Sequence, residues 1–484
     1  MMEHKGSKDS IEMLDSVNLL EDTKEKSVSG EETFVGISKR DRIEPIRGKV
    51  YVETYGCQMN FSDSEIVASV LRKDGFGLTD SEHDADIIFL NTCAIRDNAE
   101  QKIHHRLDKL RGIKKKNPKL IVGVLGCMAE RMKQRLFEEE KIVDLIAGPD
   151  AYRSLPQLIE IAESGQKAAN VFLSLEETYS DITPIRRQGK SAFLSIMRGC
   201  DNMCSFCVVP FTRGRERSRA ADSILDEVKM LSEEGFKEIT FLGQNVNSYK
   251  DEIGGVSFAR LLYEASLVDD SIRIRFSTSH PKDISEELID TIASRPNICK
   301  SIHLPVQSGS TRMLDIMNRN HTREDYFRKI EMIRTKIPNC ALSTDLITGF
   351  CSETEEEHQE TLSLLEAVRY DYAFTFIYSE RPNTPAAKKM RDDIPAEVKQ
   401  RRLEEIVSLQ HKISAQNYKE DIGKTKTVLI EGNSKRSSEM WMGRADDNRV
   451  VVFPKSNGEQ LWEYVKVKIE EATSATLIGK RITF

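Results

Sequence analysis

The order of apolar and polar residues divides the chain into three regions. Short apolar runs alternate with amphipathic stretches between residues 49 and 163, and again between residues 192 and 378. Strands that alternate with helices predict parallel sheets covered by helices, so the fold class is predicted to be α/β. Beyond residue 423 the pattern changes to short strands at 427–431, 449–453, 464–469 and 475–479, separated by polar turns. This last region predicts a small antiparallel β-barrel.

The first region predicts a parallel sheet with a cysteine after each of its main strands. Strands are predicted at 50–54, 86–90 and 120–125 and helices at 62–73 and 130–139. The cysteines that follow the strands are Cys57, Cys93 and Cys127. Because the carboxyl ends of parallel strands form the edge where ligands bind, we expect these thiols to converge at one site. Three unrelated cysteines are the alternative.

The second region predicts a partial (β/α)6 barrel. Its strands are predicted at 192–197, 238–242, 272–276, 300–304, 341–347 and 372–378, with helical stretches between them. In such barrels the active face is formed by the loops at the carboxyl ends of the strands. The loop after the first strand and the polar residues after the later strands are therefore the candidates for function.

The loop after the first barrel strand carries Cys200, Cys204 and Cys207, separated by three and then two residues. Iron–sulfur clusters are normally held by four cysteine thiolates, so three thiolates leave one iron open for a small molecule. A zinc knuckle would need a fourth ligand, and the nearest histidines in the sequence are His105 and His280. Chance clustering of buried cysteines is the other alternative.

Polar residues follow the later barrel strands and are predicted to face the same mouth. Gln244, Ser277, Gln307 and Asp345 could bind a polar ligand there. Each of them, taken alone, could also be an ordinary loop residue. We expect His280 and His303 to pack or to line the substrate site, not to bind a metal.

Composition and length limit the remaining possibilities. The 484 residues carry a net charge of −7 and include nine cysteines, with no run of eighteen apolar residues and no apolar signal core at the start. An odd number of cysteines without a secretion signal predicts a cytosolic protein without a disulfide framework or a membrane span. Residues 1–47 are charged and almost free of aromatic residues, which predicts a disordered tail.

Positive charge is concentrated locally despite the negative total. Eight Lys or Arg residues lie in 184–220 against two acidic residues, and eight lie in 101–119 against one. Such stripes favour a phosphate backbone as the partner, although the second stripe could equally be a solvated helix face. In the terminal barrel, positive charge and a ring for stacking on RNA are predicted at Lys435, Arg436, Trp441, Arg444 and Arg449. Trp441 could instead belong to the barrel core.

Three motifs together resemble the methylthiotransferase family of radical S-adenosylmethionine (SAM) enzymes over nearly all of the chain beyond the tail. They are Thr54-Tyr55-Gly56-Cys57-Gln58-Met59-Asn60, Met197-Arg198-Gly199-Cys200 and Val208-Val209-Pro210-Phe211-Thr212-Arg213-Gly214-Arg215-Glu216. The resemblance implies a methylthiotransferase domain at 48–180, a radical SAM domain at 188–420 and a TRAM-like RNA-binding domain at 421–484.

The resemblance also implies two 4Fe–4S clusters and SAM as cofactors. Cys200, Cys204 and Cys207 would hold the cluster that cleaves SAM to a deoxyadenosyl radical, with Phe206, Gln244, Ser277, Gln307 and Asp345 around the SAM. Cys57, Cys93 and Cys127 would hold an auxiliary cluster that presents sulfur. No side chain is assigned a catalytic role, since the chemistry belongs to the cofactors.

The implied reaction converts N6-dimethylallyladenosine at position 37, next to the tRNA anticodon, into its 2-methylthio derivative. It would proceed by removal of the C2 hydrogen, insertion of sulfur and methylation by a second SAM. The expected partners of this monomer are the tRNA anticodon stem-loop, a reductant such as flavodoxin or ferredoxin, and proteins that deliver clusters or sulfur. The alternatives are a methylthiotransferase for threonylcarbamoyladenosine or a ribosomal protein, and a non-catalytic iron–sulfur RNA-binding protein or redox sensor.

Overall fold

The computed structural model describes residues 32–33, 45–93, 97–186, 189–251, 253–456 and 458–482. Most of the predicted tail of residues 1–47 therefore lies outside the described residues. The chain forms two compact units, the first made of Met1–Ser174 with Asp181–Gln188 and the second of Leu175–Ser180 with Gly189–Phe484. Among the described helices, none combines the length and the apolar composition needed to cross a membrane.

The first unit is built on a seven-stranded sheet that is parallel except for its first strand. Its strands are β1 (Glu32–Thr33), β2 (Lys49–Thr54), β3 (Gly77–Leu78), β4 (Ile87–Thr92), β5 (Ile121–Gly126), β6 (Leu145–Ala147) and β7 (Ala168–Asn170). The order across the sheet is β1-β2-β4-β5-β6-β7, with β3 paired beside β2. Strands β4 and β5 are buried along their whole length, as expected for central strands covered on both faces.

Helices cover this sheet. They are α1 (Gln58–Lys73), α2 (Asp97–Lys116), α3 (Cys127–Met132), α4 (Arg135–Glu139) and α5 (Leu155–Glu163). Helix α2 buries Ile103, Leu107 and Leu110 at helical spacing, and these residues join the core formed by β4 and β5. The buried face of α2 thus follows from the sequence period.

The second unit begins with six parallel strands in two three-stranded groups, β8-β11-β12 and β13-β14-β15. These six strands are β8 (Ser191–Ser195), β11 (Glu238–Leu242), β12 (Arg273–Phe276), β13 (Ser301–His303), β14 (Ala341–Thr348) and β15 (Tyr372–Ile377). Two short strands, β9 (Met197–Arg198) and β10 (Arg217–Ser218), form a separate antiparallel ribbon. A parallel bridge between Ile274 and Ile298 links the two groups into a partial barrel.

The helices of this barrel alternate with its strands. They are α6 (Val209–Thr212), α7 (Ala221–Glu233), α8 (Phe258–Val268), α9 (Glu286–Ser294), α10 (Thr311–Ile316), α11 (Arg323–Lys336), α12 (Glu355–Val368), α13 (Pro385–Lys389) and α14 (Ala396–Lys419). Most of the buried apolar residues of these helices and strands form one continuous core.

The chain ends in a closed five-stranded barrel in the order β16-β17-β18-β20-β19. Its strands are β16 (Thr425–Ser434), β17 (Ser437–Ala445), β18 (Val450–Pro454), β19 (Tyr464–Ala472) and β20 (Leu477–Arg481). It docks on the amino-terminal ends of the central strands, where Arg275 donates to Glu238 at 2.8 Å and to the Ala445 carbonyl at 2.7 Å. Arg449 in turn forms ion pairs with Asp371 and Asp421.

The predicted α/β class, with a partial central barrel and a terminal β-barrel, is confirmed. Several details were wrong. The sequence pattern predicted three strands of the first sheet and missed β1, β3, β6 and β7. The terminal barrel was predicted to be antiparallel, but its strands β18 and β20 pair in parallel. The pattern also missed β17, because its residues are half-exposed on both faces and show no clean alternation. The single helix predicted at 130–139 is two helices, α3 and α4, interrupted at Lys133, which has a φ of 52°.

Candidate cluster and cofactor site

The three cysteines of the first unit follow adjacent strands of one sheet. Strand register pairs Thr54 with Asn91 and Thr92 with Gly126. Cys93 and Cys127 therefore come directly after residues that are partners in the sheet, and Cys57 lies three residues beyond Thr54. The structure thus brings the three cysteines together at one sheet edge, as the strand pattern predicts.

Two glycines allow the cysteine loops to approach so closely. Gly56 has a φ of 113°, and a Cβ atom added to it would lie 2.5 Å from the Cβ of Cys93. Gly126 has a φ of 85°, and its added Cβ would lie 2.4 Å from the Oδ1 of Asn91 and 2.9 Å from the Thr92 carbonyl oxygen. Side chains at either position would push the strand ends apart.

A buried amide network fixes these loops. The Nδ2 of Asn91 donates to the Asn60 carbonyl and to the Ser64 hydroxyl, both at 2.9 Å. The Nδ2 of Asn60 donates to the Tyr55 carbonyl at 2.8 Å. The thiol of Cys57 lies 3.7 Å from the Oδ1 of Asn60. The sequence pattern does not indicate this support, although Asn60 and Asn91 both lie close to the predicted cysteine positions.

The cysteine loop of the second unit leaves the ribbon β9–β10, in which Arg198 pairs with Arg217. Gly199 has a φ of 75°, and an added Cβ would lie only 1.9 Å from the Arg215 carbonyl oxygen. The amide of Cys200 donates to the Gly214 carbonyl at 3.1 Å. The motif residues on either side of the loop therefore form its base.

Burial favours the protonated form of two thiols of this loop, those of Cys200 and Cys207. It raises the pKa of Cys200 to about 11 and that of Cys207 to about 12. A metal that binds these sulfurs must therefore displace their protons, which couples binding to pH.

The donor set of each cysteine trio fits an iron–sulfur cluster. A structural zinc ion takes four tetrahedral ligands, and within the described parts of the chain no compact group of cysteine, histidine and carboxylate ligand atoms includes either trio. Three thiolates are the donor set of an iron–sulfur cluster with one open iron.

One other group of possible metal ligands is already neutralised by an arginine of the chain. Glu355, His358 and Glu405 place ligand atoms within 4.8 Å of one another. Arg401 donates to Glu405 at 2.6 Å and to Glu355 at 2.7 Å. This group is an ion-pair network that ties α12 to α14.

The structure places the candidate cofactor-binding residues in the second unit as two neighbouring pairs and one aromatic contact. Gln307, with a φ of 76°, donates its amide to the Asp345 carbonyl at 2.9 Å, so these two residues are adjacent. Gln244 and Ser277 follow the paired strands β11 and β12. Phe206 packs its ring edge-on to Phe350, with 6.4 Å between centroids.

Three details of the residues that follow or lie in the barrel strands bear on binding. The Oε1 of Gln244 is buried, and it has no hydrogen-bond partner among the described residues. Asp345 lies inside β14 and not after it, and its carboxylate is 3.4 Å from the Nε2 of His303. His280 is buried, and its Nδ1 accepts from the Lys282 amide. Burial, followed by the charge of Arg319, lowers the pKa of His280 to about 2, so it is a neutral hydrogen-bonding group.

Half of the eight basic residues in the stripe at 184–220 are buried. Arg198, Arg213, Arg217 and Arg219 are between 1% and 6% exposed, and Arg219 is paired with Glu227 at 2.8 Å. The prediction of a phosphate-binding stripe is wrong for these four residues. The sequence could not show this, because their partners are mostly backbone carbonyls and aromatic rings, such as that of Tyr179 beneath Arg198.

The stripe at 101–119 is exposed along one face of α2. Lys102, His105, Lys109 and Lys116 are exposed and recur at helical spacing, while Lys114 is paired with Asp144. This face can still meet a polyanion, and it can equally be solvated.

The charged residues proposed for the terminal barrel divide into two groups. Lys435 and Arg436 are exposed in the turn between β16 and β17. Arg444 forms an ion pair with Glu431 at 2.8 Å. Arg449 forms ion pairs with Asp371 and Asp421, which hold the terminal barrel against the central one. Trp441 packs partly against the barrel core and donates to Glu459 at 2.8 Å. The core interpretation of Trp441 is thus confirmed in part, and its stacking on RNA stays a prediction.

The described domains match three known families. Residues 49–148 match the uncharacterized protein family UPF0004, residues 194–365 match the radical SAM superfamily, and residues 419–482 match the TRAM domain. Among solved structures, the radical SAM methyltransferase TsrM from Kitasatospora setae has a TM-score of 0.53 and 14% identity. That match covers 67% of this chain and 73% of TsrM, and it shows a shared fold.

Fold and domain order define the chain as a radical SAM protein with an additional amino-terminal domain and a carboxy-terminal TRAM barrel. A relative from Chloroherpeton thalassium named tRNA-2-methylthio-N(6)-dimethylallyladenosine synthase is 68% identical over 90% of this chain and 96% of its own length. A relative of the same name from Prosthecochloris aestuarii is 54% identical over 89% of this chain and 98% of its own length. The chain belongs to the family of tRNA-2-methylthio-N(6)-dimethylallyladenosine synthases, which confirms the resemblance seen in its motifs.

Proposed function

We propose that this protein converts N6-dimethylallyladenosine at position 37 of tRNA into 2-methylthio-N6-dimethylallyladenosine, with two 4Fe–4S clusters and SAM as cofactors. The observation that carries the proposal is the register that brings Cys57, Cys93 and Cys127 to one sheet edge, in a chain with a second trio on a barrel loop. One cluster with an open iron serves SAM cleavage, and a second cluster with an open iron can present sulfur to the substrate.

The six cysteines are proposed as the cluster ligands. Cys200, Cys204 and Cys207 hold the barrel cluster, and Cys57, Cys93 and Cys127 hold the auxiliary cluster. When bound, the barrel cluster with SAM supplies hydrogen-abstracting chemistry, and the auxiliary cluster supplies sulfur. The protein shields both groups, because most of these thiols are buried and the loops that carry them are backed by backbone hydrogen bonds.

The residues proposed for SAM are the two adjacent pairs Gln244–Ser277 and Gln307–Asp345, with Phe206 as an apolar wall. The buried Oε1 of Gln244 can accept from an amino group of the ligand, since it lacks a described protein donor. The carboxylate of Asp345 can accept from a hydroxyl or ammonium group. The assignment of Gln244 follows the general rule that buried polar atoms find partners.

RNA contact is proposed for the exposed charges of two separate elements. Lys435 and Arg436 lie on the TRAM barrel, and Lys102, Lys109 and Lys116 lie on α2. Phosphate contacts of this type supply much of the affinity for nucleic acid and depend on salt. The substrate base lies in a single-stranded loop, which suits recognition of a splayed base.

The proposal also covers the domain boundaries, the oligomeric state, the location in the cell and the partner proteins. The domains are 48–180, 188–420 and 421–484, in a monomer that works in the cytoplasm. A reductant such as flavodoxin or ferredoxin supplies electrons, and iron–sulfur or sulfur-delivery proteins supply the auxiliary cluster.

The test is anaerobic turnover with dimethylallylated tRNA, reductant and SAM, followed by mass spectrometry of the nucleosides. The expected product is the 2-methylthio derivative at position 37, with tRNA lacking the dimethylallyl group left unmodified. A methylthio group on threonylcarbamoyladenosine, or on a ribosomal protein offered in the same assay, would refute the proposed substrate.

A further inference from the structure

The turn after α10 holds the loop of the barrel cysteines in place. The amide of Ser205 donates to the Met317 carbonyl at 3.0 Å, and its hydroxyl donates to the Ile316 carbonyl at 2.9 Å. The Nδ2 of Asn318 donates to the Met203 carbonyl at 2.8 Å. These bonds fix the position of residues 316–320, here called the clasp turn, against the cysteine loop.

The clasp turn carries one buried cation, Arg319, which is 4% exposed. Its Nη1 donates to the Sγ of Cys204 at 3.2 Å, and its Nη2 donates to the Pro305 carbonyl at 2.6 Å. Its Nε is buried without a hydrogen-bond partner among the described residues. The guanidinium is therefore anchored at one end and directed at the cysteine sulfur at the other.

The backbone around Arg319 leaves it little freedom to move. Asn318 and Asn320 on either side both have a φ of 55°, the left-handed conformation that asparagine adopts more readily than most residues. The Arg319 amide donates to the Leu314 carbonyl, and its own carbonyl accepts from the Nδ1 of His321. An arginine fixed in this way cannot easily leave when the charge beside it changes.

We propose that Arg319 is a positioning residue that makes the barrel cluster easier to reduce. One-electron reduction adds negative charge to a cluster and to its ligand sulfurs, and burial alone opposes that change. A fixed positive charge and an N–H bond to a ligand sulfur favour the reduced state, because hydrogen bonds to sulfur are among the factors that set cluster potentials. The inference rests on the proposed function in taking Cys204 as a ligand.

The test measures the midpoint potential of the barrel cluster by spectroelectrochemistry, in the full chain with Cys57, Cys93 and Cys127 changed to Ala. In Arg319→Met we expect the equilibrium for reduction to fall at least tenfold, which is about 59 mV for one electron. Arg319→Gln, which loses the charge but keeps a donor, should show a smaller fall. Arg328→Met is the control, since Arg328 is 73% exposed and belongs to the helix after the turn.

An iron-loaded Arg319→Met or Arg319→Gln with the parent potential would overturn the inference. Loss of the cluster in both variants would overturn it as well, because Arg319 would then belong to the framework of the site. The potential does not depend on which RNA is modified, so this result is independent of the proposed substrate.

Discussion

Replacing Gly126 by Ala tests whether close packing of strand ends creates the auxiliary site. Gly126 has a φ of 85° and a ψ of −154°, a combination that is almost restricted to glycine. The new Cβ would meet the Oδ1 of Asn91 and the carbonyl oxygen of Thr92. Asn91 cannot turn away at low cost, because its Nδ2 is bound to Asn60 and Ser64.

The expected cost has two parts. The backbone conformation costs an alanine about 1–3 kcal/mol, and overpacking against fixed atoms adds about 1–3 kcal/mol. The sum of about 2–6 kcal/mol exceeds what a local loop can absorb without moving, so Cys127 should shift relative to Cys93.

The assay is iron per chain after anaerobic reconstitution, in a background with Cys200, Cys204 and Cys207 changed to Ala. Gly165→Ala is the matched control, since Gly165 has a φ of 84° and an added Cβ would meet nothing within 4 Å. We expect the control to retain the parent's iron and Gly126→Ala to lose most of it. Equal iron in the two variants would refute the view that this packing forms the site.

Three further predictions follow from the second unit and from α2. Arg449→Met should lower the free energy of unfolding by about 3–5 kcal/mol, measured by urea titration, because it removes the cation from ion pairs with the buried Asp421 and the partly buried Asp371. Gln307→Ala should weaken SAM binding by about 1–3 kcal/mol in equilibrium dialysis if a polar partner is left unsatisfied. Reversing the charge of Lys102 and Lys109 to Glu should weaken tRNA binding and reduce its salt dependence, measured by filter binding in a salt series.

Each of these predictions has a clear contrary outcome. An Arg436→Met control on the exposed turn should stay within about 0.5 kcal/mol of the parent, and an equally small change in Arg449→Met would contradict the docking role. An unchanged dissociation constant for SAM would remove Gln307 from the pocket. An unchanged salt slope would make the face of α2 a solvated surface.

The sequence was sufficient for the fold and for the convergence of the cysteines, because both depend on local periodicity and on the geometry of parallel strands. It was not sufficient where a residue's partner is distant in sequence. Arg198 reads as a surface charge but is buried beside Tyr179. Arg319 reads as part of an ordinary polar turn, and its contact with Cys204 spans 115 residues.

Two strands, β11 and β17, also show where a local sequence pattern is sufficient and where it is not. Strand β11 was predicted to the residue because it is a continuous buried run. Strand β17 was missed because barrel closure, and not its own pattern, makes it a strand. Pairing partners decide such elements, and no local pattern in the sequence specifies them.

The central claim is that the two cysteine trios hold clusters with separate tasks. The most direct test counts 5′-deoxyadenosine and methylthiolated nucleoside side by side, in the chain with Cys57, Cys93 and Cys127 changed to Ala. This variant should still cleave SAM and bind tRNA, since neither depends on the auxiliary cluster, and it should form no methylthio product. Methylthiolated tRNA from this variant would show that the first trio is structural and would contradict the account.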